Sequence, residues 1–364
     1  ALASKTLCIP YDWDKSNGKL TGIKSHFKYI SWLVATLWHC VVWIFTTAML
    51  LYHLTLPKEL GNSDQATMFH CFYVVIFTTS NLISLNFFFY RRESMLFINS
   101  LLYFNKRYEE IVLPKASKQL DILGMILLFL IPSSIWSNFI FLIIFLLFPH
   151  QPQYIFAYTN FSKDSLLEIL PFSLEVTWQQ FHATFTAYFF VYTSVIFEKS
   201  IDTWLKAITY DAEALQVHLG GSSEILKIYR CLQLLKALHN RAYRKIVTPV
   251  FFGCSMSLMI FAFYGTIRFY NTIPIPGYLI APVCFLTVLT FCVLLHQSSG
   301  IVYESSQRFL QSQKKHRNLE EKKTLQSLYA LRVYVNDSYF VRQSTFVSFM
   351  DVFASSAMSL LIAF

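Results

Sequence analysis

Long apolar blocks alternate with shorter charged segments along this sequence. Residues 29–54, 67–90 and 122–149 contain no Asp, Glu, Lys or Arg. A helix needs about 20 mostly apolar residues to cross the roughly 30 Å hydrocarbon core of a bilayer. The blocks are continuous and lack the alternation of a transmembrane β-barrel, so they favour helices. The pattern predicts an all-α membrane protein with seven transmembrane helices, at about 29–54, 67–90, 122–149, 171–197, 247–267, 278–297 and 345–364.

The fourth block is the most polar, because Glu175, Gln179, Gln180 and His182 lie in its first half. The composition agrees with a membrane protein: 55% of the residues are hydrophobic and 14% are charged, against about 25% charged in soluble domains. This excludes a soluble enzyme, a nucleic-acid-binding protein and a disordered scaffold. The first block is too long for a signal-peptide core and is predicted to remain as a signal anchor. Because the chain begins with Ala1, we expect a few residues to precede it.

The lysines and arginines predict the orientation. All 30 lie outside the seven predicted helices, and 27 of them lie in the N-terminal segment and in the second, fourth and sixth connections. The first, third and fifth connections contain only Lys58, Lys163 and Arg268. The side richer in Lys and Arg is normally cytoplasmic, so we predict a cytoplasmic N-terminus, an extracellular C-terminus and a multi-pass protein of the plasma membrane. The sequon at Asn160 lies on the predicted outer side.

Several functional classes lack their motifs here. The orientation is opposite to that of G-protein-coupled receptors, and neither Asp-Arg-Tyr after the third helix nor Asn-Pro-x-x-Tyr in the seventh is present. The ten histidines include no pair four residues apart, and there is no Cys-x-x-Cys, nucleophile elbow, P-loop or dinucleotide fingerprint. The sequence therefore predicts no enzyme activity, no metal and no cofactor. Because Cys8 and Cys231 lie on the predicted cytoplasmic side and the other cysteines within helices, no structural disulfide is expected.

The predicted outer halves of the helices combine aromatic and polar residues. These are His70, Phe72, Tyr73, Trp136, Asn138, Trp178, Gln179, Phe181, His182 and Tyr264. Such a mixture is typical of a pocket for a small, largely apolar ligand that a few polar groups orient. The alternative is that the Trp and Tyr residues form interfacial belts and the Phe residues face lipid. Both interpretations remain open from sequence, and the pocket residues we predict are His70, Tyr73, Trp136, Asn138, Trp178, Gln179, Phe181, His182 and Tyr264.

The seventh helix carries one polar stripe. Ser344, Ser348, Asp351, Ser355 and Ser359 recur at steps of three or four, which places them within an arc of about 80° on a helix. An ionisable side chain within a membrane helix is costly unless it faces water or a partner. The stripe either joins helices in a packed bundle or lines an aqueous pore, where a ring of carboxylates would favour cations. The carboxylate favours the pore.

The long predicted cytoplasmic connections also contain helical patterns. Ser222 is a candidate N-cap, and the residues after it place one apolar face at helical spacing: Ile225, Ile228, Leu232, Leu235 and Leu238. A second charged stretch, 314–332, is predicted to be helical and to precede the seventh span. The resulting organisation is a cytoplasmic tail (1–28), four helices with an outer ligand pocket (29–197), anchor helices (198–246), two helices (247–297), further anchor helices (298–344) and a pore-lining helix (345–364).

The chain resembles the insect odorant and gustatory receptor superfamily. The likeness rests on the inverted seven-helix topology, on short outer and long inner connections, and on Arg91-Arg92-Glu93 followed by Phe97-Ile98-Asn99-Ser100-Leu101-Leu102. The closing family motif has Thr-Tyr, five hydrophobic residues and Gln-Phe. Here Ser356 stands at the Thr position and Phe364 closes the stretch, but the Tyr and Gln are absent. The resemblance implies a tetrameric ligand-gated cation channel with its pore along the seventh helix, a cytoplasmic anchor and an outer ligand pocket in each subunit.

Together these patterns predict a chemosensory receptor that is a non-selective cation channel opened by a small organic molecule, an odorant or a tastant. The predicted pore residues are Ser348, Asp351, Ser355, Ser356, Ser359, Leu360 and Phe364, with Leu360 and Phe364 as hydrophobic constrictions near the outer mouth. The predicted partners are the ligand, membrane lipid, permeating cations, and further subunits in a homotetramer or a heterotetramer with a co-receptor. The alternatives are a seven-helix signalling receptor without a pore and a membrane-embedded hydrolase or acyltransferase.

Overall fold

The computed structural model describes residues 8–55, 64–112, 132, 135, 138–159, 161, 165–210, 222–273, 275–313 and 319–363. In chain order the elements are β1 (Tyr11–Asp14), β2 (Lys19–Gly22), α1 (His26–Thr55), α2 (Asp64–Phe89), α3 (Arg91–Val112), α4 (Asn138–Leu147), a 3-10 turn (Ile155–Tyr158), α5 (Leu166–Tyr210), α6 (Ser222–Tyr243), α7 (Val247–Arg268), α8 (Ile275–Tyr278), α9 (Ile280–Ser312), α10 (Leu319–Gln326), β3 (Tyr334–Val335), β4 (Tyr339–Phe340) and α11 (Gln343–Ala363). The predicted all-α class is confirmed, with two short β-hairpins added.

Five of these helices are long and apolar enough to cross a membrane: α1, α2, α7, α9 and α11. They coincide with the first, second, fifth, sixth and seventh predicted spans. The fourth predicted span lies within α5, where the buried polar side chains of Gln179, Gln180 and His182 lower the hydropathy. Within the third predicted span the structure describes residues 132, 135 and 138–149, with α4 at Asn138–Leu147.

Helices α5 and α9 are longer than the spans predicted for them. Helix α5 continues from the predicted end at residue 197 to Tyr210, and α9 continues from residue 297 to Ser312. The 45 residues of α5 extend roughly 68 Å at 1.5 Å per residue, more than twice the thickness of the hydrocarbon core. We call the end of the bundle that carries these extensions the inner end and the opposite end the outer end, following the predicted orientation.

The inner end contains the largest hydrophobic core, formed by α3, α6 and the extensions of α5 and α9. The predicted apolar face of α6 is confirmed, since Ile225, Ile228, Leu232 and Leu235 are all buried. Aromatic rings join the elements: Tyr229 of α6 stacks on Phe309 of α9 at 4.6 Å between ring centroids. The core also encloses an ion pair, with Lys236 Nζ 2.5 Å from Glu198 Oε1. Burial of this apolar surface attaches the inner helices to the long membrane helices.

The segment predicted as an N-terminal cytoplasmic tail folds, from Tyr11 onwards, into an antiparallel hairpin of β1 and β2 that packs on α3. Tyr11 is fully buried in the inner core. The turn is closed by Asp14, whose Oδ1 accepts a hydrogen bond from Ser16 N at 3.0 Å, and Gly18 adopts a positive φ of 59°. An Asp-x-x-Asn-Gly turn of this kind is a hairpin signal.

The prediction that the charged stretch 314–332 is helical is wrong for its second half. Helix α10 ends at Gln326, and the chain then runs extended into the β3–β4 hairpin. Two α6 side chains bind this extended segment, since Gln233 Nε2 donates to Tyr329 O at 2.8 Å and Asn240 Nδ2 donates to Arg332 O at 2.9 Å. Backbone groups that would have bonded within a helix bond to α6 instead.

Two smaller clusters lie towards the outer end. The outer aromatic cluster joins α1, α2, α4, α5 and the 3-10 turn; it consists of Val42, Tyr73, Phe77, Phe145, Tyr154, Phe156, Ile169, Val176 and Ala183. The seventh-helix cluster joins α2, α7, α9 and α11; it consists of Met68, Phe72, Leu258, Met259, Ala262, Tyr264, Phe269, Val288, Cys292, Phe353 and Ala357. The first cluster surrounds the candidate ligand site, and the second holds α11 against the bundle.

Candidate functional site

Four polar side chains from three helices meet in the interior of the bundle, near the middle of α1, α2 and α5. His39 Nδ1 donates a hydrogen bond to Gln179 Oε1. The imidazole rings of His39 and His182 lie 4.4 Å apart between centroids, and Ser80 Oγ is 3.4 Å from His182 Nδ1. Gln179 and His182 share one face of α5 because they are three residues apart. We call His39, Ser80, Gln179 and His182 the buried polar cluster.

The cluster leaves hydrogen-bonding capacity unused. His39, Gln179 and His182 are 0–1% exposed, and His39 Nε2, Gln179 Nε2 and His182 Nε2 have no hydrogen-bond partner in the described part of the chain. A buried polar atom without a partner costs about 1–3 kcal/mol, and folded proteins leave few of them. Three such atoms within one cluster of touching side chains indicate a place where a ligand or water supplies the missing hydrogen bonds.

Aromatic side chains adjoin the polar cluster. Phe77 presents its ring to His39 at 5.1 Å and to Tyr73 at 5.7 Å, both in edge contacts. Tyr73 OH and Tyr154 OH are hydrogen-bonded at 2.9 Å. The ring centroid of Trp178 lies 5.7 Å from that of His182. The polar cluster and the outer aromatic cluster therefore form one continuous region of apolar walls and a few polar groups, the composition of a small-molecule site.

An apolar cleft of about 440 Å³ opens beside this region, between α4 and the outer part of α5. Leu142 and Leu146 line it from α4, and Ile169, Leu174 and Thr177 line it from α5. Ile169 also belongs to the outer aromatic cluster, and Thr177 precedes Trp178. The cleft therefore adjoins the outer aromatic cluster at Ile169.

The predicted ligand-binding residues separate into three groups in the structure. Tyr73, Trp178, Gln179 and His182 meet at the region just described. His70 and Asn138 lie at its margin, with His70 Nε2 donating to Thr46 O at 2.8 Å and Asn138 Oδ1 accepting from Thr184 Oγ1 at 3.3 Å. Phe181 and Tyr264 point elsewhere, since Phe181 stacks on Phe185 at 5.6 Å and Tyr264 belongs to the seventh-helix cluster. Trp136 lies outside the described residues.

His39 and Ser80 are the members of the buried polar cluster that the sequence analysis missed. The signal for His39 was present, because its ionisable imidazole lies near the centre of a predicted span without Asp, Glu, Lys or Arg, and ionisable groups inside membrane helices are a functional indication. Its partner could not be read from the sequence, since His39 and Gln179 are 140 residues apart. Among the described residues, no group of three or more His, Cys, Asp or Glu side chains could hold a metal ion.

Helix α11 presents its polar stripe away from the bundle. Ser344, Ser348, Asp351, Ser355 and Ser359 are all exposed, whereas Phe353 and Ala357 on the opposite face are buried in the seventh-helix cluster. The serines bond back along the helix, with Ser355 Oγ donating to Asp351 O at 3.0 Å and Ser359 Oγ to Ser355 O at 2.8 Å. The carboxylate of Asp351 therefore lies on a surface that the described part of the chain leaves exposed.

The remaining predicted pore residues occupy different positions on α11. Ser356 is half-buried, at the border between the stripe and the packed face. Leu360 packs at the edge of the seventh-helix cluster, and Phe364 lies outside the described residues.

By sequence, no family model and no curated protein matches this chain. By structure, it is similar to the insect olfactory receptor OR5 from Machilis hrabei, with a TM-score of 0.66 and 13% sequence identity, over 99% of this chain and 96% of the receptor. It is also similar to OR5 in complex with eugenol, with a TM-score of 0.56 and 12% identity, over 100% of this chain and 97% of the receptor. These structural neighbours are receptors and not enzymes.

The chain therefore has the fold of the insect odorant and gustatory receptors, and the resemblance seen in its sequence is confirmed at the level of fold. The similarity extends over nearly the whole chain. Together with the five apolar helices, it confirms a multi-pass membrane protein.

Proposed function

We propose that this protein is a chemosensory receptor that is itself a ligand-gated cation channel, opened by a small organic molecule. The observation that carries the proposal is the buried polar cluster inside a bundle with the olfactory-receptor fold. His39 and His182 offer unpartnered ring nitrogens there, and Tyr73, Phe77 and Trp178 supply aromatic walls. No catalytic role is proposed for these residues.

The ligand in this proposal is a largely apolar molecule with one or two polar groups. Its apolar body would pack against the outer aromatic cluster, and its polar group would bond to His39 or His182. The cleft between α4 and α5 would give such a molecule a route from the lipid phase. The molecule partitions into apolar surroundings, and the cleft has an apolar lining. The eugenol complex of OR5 supports a small-molecule ligand for this fold.

The pore in this proposal lies along α11. Several copies of the chain, as a homotetramer or with a co-receptor, would place their polar stripes around one axis, where water would solvate Asp351. A carboxylate exposed on a membrane helix is costly against lipid, and a shared aqueous pore removes that cost. The ring of Asp351 side chains would concentrate cations. Leu360 and Phe364 would then lie nearer the outer mouth.

The proposed orientation places the inner bundle in the cytoplasm, as the distribution of Lys and Arg favours. In this arrangement residues 198–246 and 298–344 anchor the subunits. A glycosylation tag at the C-terminus should be modified in cells, and the same tag at the N-terminus should remain unmodified. The reverse pattern would overturn the orientation.

The functional proposal is tested by recording whole-cell currents from cells that express the full-length protein, with and without a co-receptor, while eugenol and a panel of other small phenols are applied. A cation current that appears only with ligand supports it. Saturable ligand binding without current under both conditions would indicate a receptor without a pore and would overturn the channel.

The charge of Asp351 gives the sharper test of the pore. Asp351→Asn keeps the side-chain shape and removes the charge, so ligand responses should survive while the cation-to-anion permeability ratio falls. The reduction should be largest at low ionic strength, where screening is weak. The control is Asp14→Asn, which changes a partly exposed carboxylate at the end of β1, far from α11 in sequence. Reversal potentials equal to wild type in Asp351→Asn would remove this residue from the pore.

A further inference from the structure

A second cavity, of about 570 Å³, lies at the inner end of the bundle and has a basic lining. It is bounded by the start of α3, the second half of α6 and the extended segment that enters β3. Its cationic side chains are Lys236, Arg241, Arg244, Lys245 and Arg332, and its lining carboxylate is Glu93. This volume is within the range of small-molecule sites.

The charges of the lining are only partly balanced. Lys236 is paired with the buried Glu198 behind the wall. Arg241 lies 3.7 Å from Glu93, and Arg244 is paired with Asp337 at the rim. Lys245 and Arg332 have no carboxylate partner in the described part of the chain. Five cations face three carboxylates in this region, so the cavity has an excess of two positive charges.

Arg332 is the side chain that most directly indicates a missing ligand. Its guanidinium lies over the ring of Phe340, 4.5 Å from the centroid, and its Nε is buried without a hydrogen-bond partner among the described residues. A guanidinium is always charged and presents N–H groups in a fork that matches phosphate oxygens. An anion in the cavity would satisfy this donor and neutralise the excess charge.

The walls of the cavity are held in place before any ligand binds. Asn240 of α6 makes two hydrogen bonds to the extended segment. Its Nδ2 donates to Arg332 O at 2.9 Å, and its Oδ1 accepts from Tyr334 N at 3.2 Å. Asn336 N donates to Arg244 O at 3.0 Å, which fixes the β3–β4 turn beside the rim. A rigid arrangement of donors binds a ligand at lower entropic cost.

The cavity opens at the level where two membrane helices end. Tyr90 and Glu93 lie where α2 gives way to α3, and Lys245 comes two residues before α7 begins at Val247. In the proposed orientation this is the headgroup layer of the cytoplasmic leaflet, where basic pockets between helices bind phosphorylated lipid headgroups.

We propose that this cavity binds a multiply phosphorylated headgroup, such as that of a phosphorylated inositol lipid in the inner leaflet. Arg332 and Lys245 would contact the phosphates, with Arg241 and Arg244 at the rim. The lipid would link the inner bundle to the membrane at the junction of α2, α3, α6 and α7. The source of the headgroup rests on the proposed orientation, whereas the recognition of clustered phosphates rests on the cavity alone and does not depend on ligand-gated current.

The proposal is tested by binding of fluorescent short-chain phosphatidylinositol 4,5-bisphosphate to the purified full-length protein in neutral detergent. We expect saturable binding that weakens by about tenfold or more in Arg332→Gln, because each lost charge-assisted contact is worth at least that factor. Lys245→Gln, at an exposed position, should weaken it in the same direction without affecting the fold. The matched control is Arg308→Gln, an exposed arginine outside the cavity, which should bind like wild type.

Two competitors identify the source of the phosphates. Inositol 1,4,5-trisphosphate should compete, because it has phosphates at the same ring positions, but more weakly than the lipid. Equal affinity of the soluble compound would overturn the lipid as the source, and competition by inorganic phosphate at similar concentrations would overturn recognition of a multiply phosphorylated headgroup. The site itself would be overturned if neither the lipid nor inositol 1,4,5-trisphosphate bound saturably. It would also be overturned if both Arg332→Gln and Lys245→Gln bound the lipid as tightly as Arg308→Gln.

Discussion

The side-chain amide of Asn99 is hydrogen-bonded to both backbone groups of Leu20. Asn99 Oδ1 accepts from Leu20 N at 2.8 Å, and Asn99 Nδ2 donates to Leu20 O at 2.8 Å. The amide thus takes the place of a neighbouring strand for β2 and attaches the N-terminal hairpin to α3. Asn99 belongs to the stretch that carries the resemblance to gustatory receptors, which gives this polar residue a structural explanation.

We expect Asn99→Ala to destabilise the protein by about 1–3 kcal/mol, because two backbone groups of Leu20 lose their partners in a partly buried position. The measurement is thermal unfolding in detergent, followed by size-exclusion chromatography. Asn17→Ala is the control, since the Asn17 amide bonds only within the exposed turn of the same hairpin. Equal decreases in melting temperature for Asn99→Ala and Asn17→Ala would show that the attachment of the hairpin to α3 adds nothing to the stability of the protein.

Replacing a wall of the proposed ligand site should weaken the ligand response. Trp178→Ala or Tyr73→Ala removes a large aromatic surface worth a few kcal/mol, so the half-maximal ligand concentration should rise by roughly ten- to a hundredfold. Unitary conductance should stay unchanged, because both residues lie away from α11. Phe185→Ala is the control, as this half-buried α5 ring stacks on Phe181 outside the site. Dose–response curves like wild type in both wall variants would contradict the site.

The start of α11 depends on a glycine in α9. A Cβ added at Gly300 would lie 2.7 Å from Gln343 N and 3.0 Å from Arg342 C, which are backbone atoms. Gly300→Ala should therefore displace α11 and destabilise the protein by about 1–3 kcal/mol, the usual cost of overpacking. Gly253→Ala in α7 is the control, because a Cβ there meets nothing within 4 Å. Gly253→Ala should be neutral or stabilising by about 0.5–1 kcal/mol. Equal melting temperatures for Gly300→Ala and Gly253→Ala would contradict the close approach of α11 to Gly300.

The inner core should be sensitive to acid through His239. Burial lowers the pKa of His239 well below its ordinary value, and the charge of Lys236 lowers this pKa further. Both ring nitrogens are buried without hydrogen-bond partners among the described residues, and the ring stacks on Phe197. The folded protein thus keeps this imidazole neutral while the unfolded chain protonates it below about pH 6.5. Stability contributed by the neutral ring is present above that pH and is lost as the pH falls.

His239→Phe keeps an aromatic ring that can stack on Phe197 and make edge contacts with Phe97 and Tyr243, and it removes the titrating group. The melting temperature of the variant relative to wild type should therefore rise as the pH is lowered from 8 to 5.5. Tyr243→Phe, which changes a ring in contact with His239 but removes no group that titrates between pH 8 and 5.5, should keep a constant difference. A His239→Phe profile parallel to wild type would show that this residue does not titrate on unfolding.

The membrane insertion and the all-α fold class of the protein could be predicted from sequence, because they depend on local composition. Insertion of a helix into a bilayer depends on the apolar character of about 20 consecutive residues, and five of the predicted spans reappear as apolar helices. The amphipathic face of α6 was predictable for the same reason, since its period lies within one segment. The turn at Asn17-Gly18 also carried a readable hairpin signal, although the pairing of β1 with β2 was overlooked.

The meeting of His39 with Gln179 and His182, and of Arg332 with the end of α6, was decided only by the tertiary structure. These partners are far apart along the chain, and the rotation and tilt of each helix are set by packing against its neighbours and not by its own hydropathy. Sequence periodicity therefore identified the polar stripe of α11 but not that it faces away from the bundle, and it identified His182 but not His39 beside it. Local free energies of insertion and helix formation determine which elements exist, whereas contacts between distant side chains determine which of their polar groups come together.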